Sequence, residues 1–563
     1  MYNNLMHKFT SNRYVSILLL LIISSIFLFL SYIPNLYEAS VTDIMPKDRV
    51  MLWGEHIYTY DFNVYLSKIR QGTEGRWNII NKYDNRIDQP GVYLQMLYLL
   101  AGKIGGLFNL TPILIFHLLR TLLSFSWILV IIFINVYFLK KPVLYFLGTI
   151  FSLLASSFPV FYRLDGELWI GIFMGWWQEL DVLKHISYLP HYTINYMIIS
   201  ILTFLLYLYD KTKNIRLFVI ICVILFFSFF IHPITGLVFF FSWLLFNSIK
   251  IVLFGNFKLK TLFRFVLETL FLVVVISMPL AYIKYATSLS PWKSLIEFDQ
   301  KYKFPFVLKD YILALGPVFI TGLMGAVMVI FKKEKRLLPV VTWFLGAFLG
   351  FLLFIYFPYQ SPARFVQTAN HIPLAILSAY FIVELLKKFP NWLVKSLCYP
   401  AIAFIILLGI IQSYFSIKGQ THFIKQRAQA VLPLVPYPSQ VMYPLKDFFF
   451  ALKWLEKYSY RNTVVLSQIT AGNYIPAYAG NYVYFGHFPE SPNYEYKSSQ
   501  VGLFFTGSMK EEDALNFLKN ENIDYVFLGP QEKEMATADI KRYPFLKPVY
   551  DSYWVTIFWV IKQ

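Results

Sequence analysis

The sequence predicts a polytopic α-helical membrane protein of about eleven spans, followed by a small extracytoplasmic α/β domain. Three observations carry this. Of 563 residues 57% are hydrophobic and only 15% charged, so apolar runs of bilayer-spanning length recur along the chain. Lys and Arg concentrate in every second connecting loop, as in cytoplasmic loops of multi-pass proteins. From about residue 430 the apolar runs shorten to strand length and alternate with amphipathic helical pieces. The excess of 50 basic over 32 acidic residues would point to nucleic acid in a soluble chain; here it marks cytoplasmic loops and anionic lipid, and no nucleic-acid partner is expected. Cys222 and Cys398 both lie in apolar segments, which excludes a disulfide framework and a Cys metal site.

Taken in order, apolar windows lie near 15–33, 112–139, 143–162, 191–209, 217–231, 234–249, 262–284, 310–331, 338–357, 372–386 and 397–417. The first follows Lys8 and Arg13 and has no small-x-small cleavage site after it, so it reads as a retained helix rather than a secretory signal. The stretch 90–108 carries Lys103 and several glycines and reads as an interfacial or re-entrant helix. His232-Pro233 breaks two windows that form either two helices or one broken one.

With the N-terminus inside, the inner loops hold Lys140-Lys141; Lys211, Lys213 and Arg216; Lys250, Lys258, Lys260 and Arg264; Lys332, Lys333, Lys335 and Arg336; and Lys387, Lys388 and Lys395. The outer loops are then 34–111, 163–190, 285–309 and 358–371, and an odd number of spans places the tail outside a plasma membrane. The chain divides on this reading into a membrane domain, 1–429, and an extracytoplasmic α/β domain, 430–563. Strands are expected at Thr463–Leu466 and Tyr525–Leu528 and a helix over 511–521. The connector 432–444, with Pro433, Pro436, Pro438 and Pro444, marks the boundary.

The polar residues that stand out lie in the outer loops. In the first, Asp61 opens an amphipathic segment with Tyr65, Leu66 and Ile69 on one face and Lys68 and Arg70 elsewhere, closed by Gly72. A carboxylate there reads as a helix cap favoured by free amides, or as a general base where membrane meets water. Asp43, Asp48 and Glu55 are alternatives nearer the first span. The second outer loop gathers Asp165, Glu167, Glu179, Asp181, His185 and His191 within about thirty residues, costly beside lipid unless solvated, paired or bound to a cation. In the last outer loop, Arg364 suits bidentate phosphate binding, or snorkels to headgroups, and Asn370-His371 follows.

A long first outer loop with an acidic residue, a Tyr four positions on (Tyr65), a basic amphipathic helix, a Gly, and then a proline-led apolar helix after Gln89-Pro90-Gly91 resembles the GT-C superfamily. Those membrane glycosyltransferases use polyprenyl-phosphate sugars and include aminoarabinose transferases, protein mannosyltransferases and the oligosaccharyltransferase catalytic subunit. The resemblance covers the architecture, while residue similarity is confined to short pieces. It implies a GT-C-like fold, a polyprenyl-phosphate-linked donor, and a glycan, lipid or protein acceptor, with Asp61 as catalytic residue. It also implies that Glu179 and Asp181, or Asp165 and Glu167, hold a divalent ion such as Mg²⁺ or Mn²⁺ or bind the acceptor. Arg364, His371 and His191 would contact the lipid phosphate. The tail, from Phe450 through Thr463–Ser467 to Ala471–Gly480, is similar in layout to the oligosaccharyltransferase soluble domain. Ser467-Gln468-Ile469-Thr470 stands where that enzyme carries its Trp-Trp-Asp motif, which argues against recognition of an Asn-linked sequon. The expected activity is transfer of a sugar to an extracytoplasmic acceptor in cell-envelope glycosylation. A non-catalytic lipid-linked glycan transporter or assembly subunit, and a glycan polymerase or ligase, are the competing readings.

Overall fold

The structure, a computed structural model, describes residues 13–255, 258–302, 306–357, 361–430, 442–537 and 539–562; Lys8 and three of the connector prolines, Pro433, Pro436 and Pro438, lie outside them. The chain divides into two compact units. One comprises Met1–Pro34, Leu119–Tyr282 and Tyr302–Gly419; the other comprises Asn35–Leu118, Ile283–Lys301 and Gln420–Gln563.

Each of the eleven apolar windows falls on a helix, and not every helix is long enough to cross. Among the described residues seven helical segments have the length and apolarity to span: Arg13–Ile44, Pro112–Leu139, Pro190–Thr212, Pro233–Val252, Leu259–Ser288, Leu338–Tyr356 and Trp392–Gln429. Leu308–Leu315 and Pro317–Phe331, bent by 89° at Gly316, make an eighth if they count as one span. Gly316 has φ +64, and a Cβ there would lie 1.9 Å from the Ser156 carbonyl oxygen, so only glycine fits the bend. The 143–162 window is helical only over Pro142–Leu154. Beyond it Ala155 turns extended, and the chain enters an antiparallel hairpin, β1 (Pro159–Leu164) and β2 (Glu167–Ile172). His232-Pro233 separates two helices, Ile215–Ser228 and Pro233–Val252, with Pro at the first turn of the second. Cys222 and Cys398 are buried and unpaired.

In the first unit, small residues let helices approach closely, as apolar surroundings require. A Cβ on Gly325 would lie 2.2 Å from the Leu377 carbonyl, and one on Gly346 would lie 2.7 Å from the Ser242 amide. Hydroxyl pairs Thr321–Ser378 (2.8 Å) and Ser242–Thr342 (3.0 Å) bridge the same contacts.

The second unit is built on a five-stranded sheet of order β4-β3-β5-β7-β6, using β3 (Val464–Leu466), β4 (Tyr482–Val483), β5 (Ile523–Leu528), β6 (Leu546–Asp551) and β7 (Thr556–Val560). β3 runs parallel to β4 and β5, while β5, β7 and β6 are antiparallel. Val464, Leu466, Val526 and Phe558 bury one core with Phe504 and Leu518 from the helices Tyr494–Phe505 and Glu511–Asn520. Ile80 of the first loop joins it.

Two close backbone approaches set the position of the first-loop helix and of the tail segment near residue 486. The helices Thr59–Thr73 and Met96–Gly106 meet through glycines: a Cβ on Gly102 would sit 2.0 Å from the Ile69 carbonyl oxygen, and one on Gly72 would sit 2.2 Å from that of Leu99. Likewise Gly472, in the helix Ile469–Tyr478, and Gly486 each leave room for the other's backbone. Gly102→Ala is expected to force the first pair apart and lower the melting temperature, with a cost of about 1–3 kcal/mol. Gly419→Ala, whose nearest neighbour would be 3.9 Å away, should leave it unchanged or raise it. Thermal melts of the two variants beside wild type read this directly.

Candidate functional site

Asp61 is the third residue of the helix Thr59–Thr73 and is not its cap, which is Tyr58. The carboxylate still gains from the free amides of the first turn. Its Oδ1 accepts from His487 Nε2 at 3.0 Å. The Asp61 side chain is 39% exposed and that of His487 6%, so one carboxylate oxygen is held from within while the group stays open to solvent. Donation to Asp61 places the imidazole proton on Nε2; His487 Nδ1 is buried with no partner among the described residues.

His487 is fixed from all sides. Its ring packs at a tilt of 33° against Tyr60 (centroids 4.3 Å) and lies 5.8 Å from Tyr83. Its amide and that of Gly486 both donate to Ser491 Oγ, which donates to the Tyr83 carbonyl. Tyr60 Oη accepts from the Phe488 amide, and burial raises its pKa well above the usual phenol value. Asn473 ties the helix Ile469–Tyr478 to the Asp61 helix: Asn63 Nδ2 donates to its Oδ1 at 2.7 Å, and its own Nδ2 donates to the Tyr60 carbonyl at 3.0 Å. Beside the dyad, Lys68 and Glu490 form an ion pair at 2.8 Å, with side chains 6% and 5% exposed. The alternatives for Asp61 are otherwise engaged or apart: Glu55 is buried beside His56, and Asp48 lies 3.8 Å from Arg49.

A second polar cluster lies in the other unit. Glu179 is buried, and its carboxylate accepts from Gln367 Nε2, which also donates to Tyr192 Oη at 2.8 Å. Burial raises its pKa to about 7, against the opposing pull of Gln367, Arg364 and Lys184. The half-buried Arg364, in the 3-10 turn Pro362–Val366, therefore faces a carboxyl group that is half neutral near neutrality. His191 packs at a tilt of 37° against Tyr192 (centroids 4.3 Å). His371 is buried at the start of its helix and stacks on His185 at 3.8 Å. Burial lowers the pKa of His185 to about 4. Glu179, His185 and His371 line a small cavity with Tyr196, Tyr311 and Asn370.

The four second-loop carboxylates do not gather. Asp165 and Gly166 form the two-residue turn of the β1–β2 hairpin, both at positive φ (+52 and +81); an Asp-Gly pair is a turn signal. Glu167 pairs with Lys418 at 2.6 Å. Asp181 Oδ1 accepts from the Leu183 amide at 3.0 Å and from Ser416 Oγ at 2.8 Å. Glu179 faces Gln367 and Arg364. Among the described residues no group of three or more His, Cys, Asp or Glu side chains is placed to hold a metal ion. The sequence reading missed His487 and Gln367. Neither has a local signal, since each meets its partner across more than 180 positions of chain.

No protein-family model matches the sequence, and no curated protein matches it. Solved structures do. ArnT from Cupriavidus metallidurans bound to undecaprenyl phosphate superposes with a TM-score of 0.51 at 9% identity, over 96% of this chain and 97% of that one. The archaeal oligosaccharyltransferase AglB from Archaeoglobus fulgidus, in complex with an inhibitory peptide and a dolichol-phosphate, superposes at 0.50 and 14% identity, over 89% and 69%. Its apo form gives 0.50 and 13%, over 93% and 72%. At these identities the likeness is one of fold: the chain is a multi-pass membrane protein with a GT-C-like architecture and a small C-terminal sheet.

The raised pKa of Glu179 has a signed consequence. The folded state retains its proton between the ordinary carboxylate pKa of about 4.5 and about 7, so this group's contribution to stability falls as pH rises through that window. Glu179→Gln removes the titration while keeping an oxygen for Gln367. The melting temperature of the variant minus that of wild type should therefore grow from pH 4.5 to 7 and then level off; a difference independent of pH would place the group in a solvated setting.

Proposed function

We propose that the chain is a glycosyltransferase that moves a sugar from a polyprenyl-phosphate donor to an acceptor outside the plasma membrane, with its N-terminus cytoplasmic and its C-terminal domain extracytoplasmic. The observation that carries this reading is the Asp61–His487 pair: an exposed carboxylate at a helix N-terminus, oriented by a buried imidazole. His487 occupies Oδ1, and among the described residues Oδ2 has no hydrogen-bond partner. That oxygen is available to take the proton of an acceptor hydroxyl or amide as it attacks the sugar carbon, while the phosphate leaves. His487 keeps the carboxylate in one orientation and is a positioning residue. Arg364, beside a half-neutral Glu179, supplies positive charge suited to a lipid-linked phosphate. The fold supports the reading, since its structural neighbours are named as an oligosaccharyltransferase with a dolichol-phosphate and as ArnT with undecaprenyl phosphate.

Purified protein incubated with a panel of radiolabelled polyprenyl-phosphate sugars tests the assignment. Asp61→Asn should lower transfer by about 10²–10⁴-fold with expression unchanged, and transfer near the wild-type rate would sink it. In the same assay Arg364→Lys, which keeps the charge and loses the guanidinium fork, should raise the KM for donor by about tenfold with a smaller effect on kcat.

A further inference from the structure

Within the second unit, the first-loop stretch Asp84–Asp88, the segment Ser290–Glu297 and the tail segments Pro492–Lys497 and Asn520–Asn522 enclose an open groove of about 510 Å³. Its lining is mostly polar. The floor is preorganised. Lys497, 6% exposed, gives its ammonium protons to Asp84 Oδ1 (2.7 Å), Asn85 Oδ1 (2.8 Å) and the Tyr484 carbonyl (2.9 Å), so its three donors are all used. Arg86 Nε donates to the other Asp84 oxygen at 2.6 Å. With its oxygen taken by Lys497, Asn85 turns its Nδ2 to the carboxylate (2.8 Å) and main-chain oxygen (3.1 Å) of Glu521, which settles the amide's orientation.

This arrangement decides the sign of the ligand. Lys497 and Arg86 are committed to Asp84, and Lys293 pairs with Glu297 at 2.9 Å. Among the described residues Asp88 and Glu521, which also line the groove, are in no ion pair. Its residual charge is negative, which repels phosphates and anionic headgroups. The groove also offers Asn493, Asn520 and Asn522, all exposed, and the ring of Tyr496, 58% exposed. Amides both donate and accept, as sugar hydroxyls do, and a flat aromatic ring takes the apolar C–H face of a pyranose. The volume lies in the range of small-ligand clefts and holds a short run of sugar units.

We infer that this groove binds a neutral oligosaccharide of about two or three units, stacked on Tyr496 and hydrogen-bonded to Asn493, Asn520 and Asn522 above the Lys497–Asp84–Asn85 floor. The choice of a glycan over another neutral polar ligand rests on the transferase reading. Binding and transfer are measured separately.

The test applies full-length protein in detergent to an array of neutral and acidic glycans, with wild type, Tyr496→Ala, Asn520→Ala and Asp61→Asn. Wild type should retain one or more neutral glycans, Tyr496→Ala and Asn520→Ala should each weaken retention at least tenfold, and Asp61→Asn should bind like wild type. Both groove side chains are exposed, so unchanged thermal melts will verify folding. Retention of no neutral glycan, retention of acidic glycans alone, or binding by Tyr496→Ala equal to wild type overturns the inference. If groove binding holds while Asp61→Asn still transfers sugar at the wild-type rate, the transferase assignment falls and the groove stands. Transfer without groove binding has the opposite meaning.

Discussion

Two ion pairs shut away from water fix the register of the second unit. Lys68 meets Glu490 at 2.8 Å, and Lys497 meets Asp84 at 2.7 Å, with every side chain under a tenth exposed. Each joins the first loop to the tail across more than 400 residues of chain. Removing one partner of such a pair strands a buried charge at about 3–5 kcal/mol, although the intact pair itself adds little. The contribution is therefore register rather than strength. Glu490 lies three residues beyond His487, and Lys68 lies two turns along the helix from Asp61, so the pair sets where the imidazole meets the carboxylate. The second pair sets the floor of the polar groove in the same way.

The amount that local sequence revealed depends on the range of each interaction. Apolar windows need only composition, and all eleven fall on helices. Their lengths do not follow from composition. The 143–162 run stays apolar, yet the helix stops at Leu154 because the chain turns into a hairpin whose signal, Asp165-Gly166, competes with a reading of Asp165 as a functional acid. The tail strands near 463 and 525 and the helix near 511 were legible from periodicity. That residues 35–118 share a compact unit with 420–563 was not, since the ion pairs and hydrogen bonds that join them have no pattern of their own. Asp61 stood out because it starts an amphipathic helix, whereas His487 is one histidine in a loop and acquires meaning only beside Asp61.

The two units treat ionisable groups differently. Around Asp61 the charges are compensated in pairs and the one carboxylate of interest stays partly open. Around Glu179 burial acts on the proton itself, raising the pKa of the acid to about 7 and lowering that of His185 to about 4, so that His185 is neutral near neutrality and Glu179 is less ionised than an ordinary carboxylate. On the proposed function, Arg364 beside this acid meets the anionic donor. The groove lined by Asp88, Glu521 and Tyr496 has the opposite bias.

On the proposed function, His487 acts on the reaction only through Asp61. A double-mutant cycle on the sugar-transfer rate, combining Asp61→Asn with His487→Gln, tests it most directly. His487→Gln is expected to slow transfer in the wild-type background and to have no further effect once Asp61 is asparagine. Losses that multiply in the double variant would show that the two residues act independently and would contradict it.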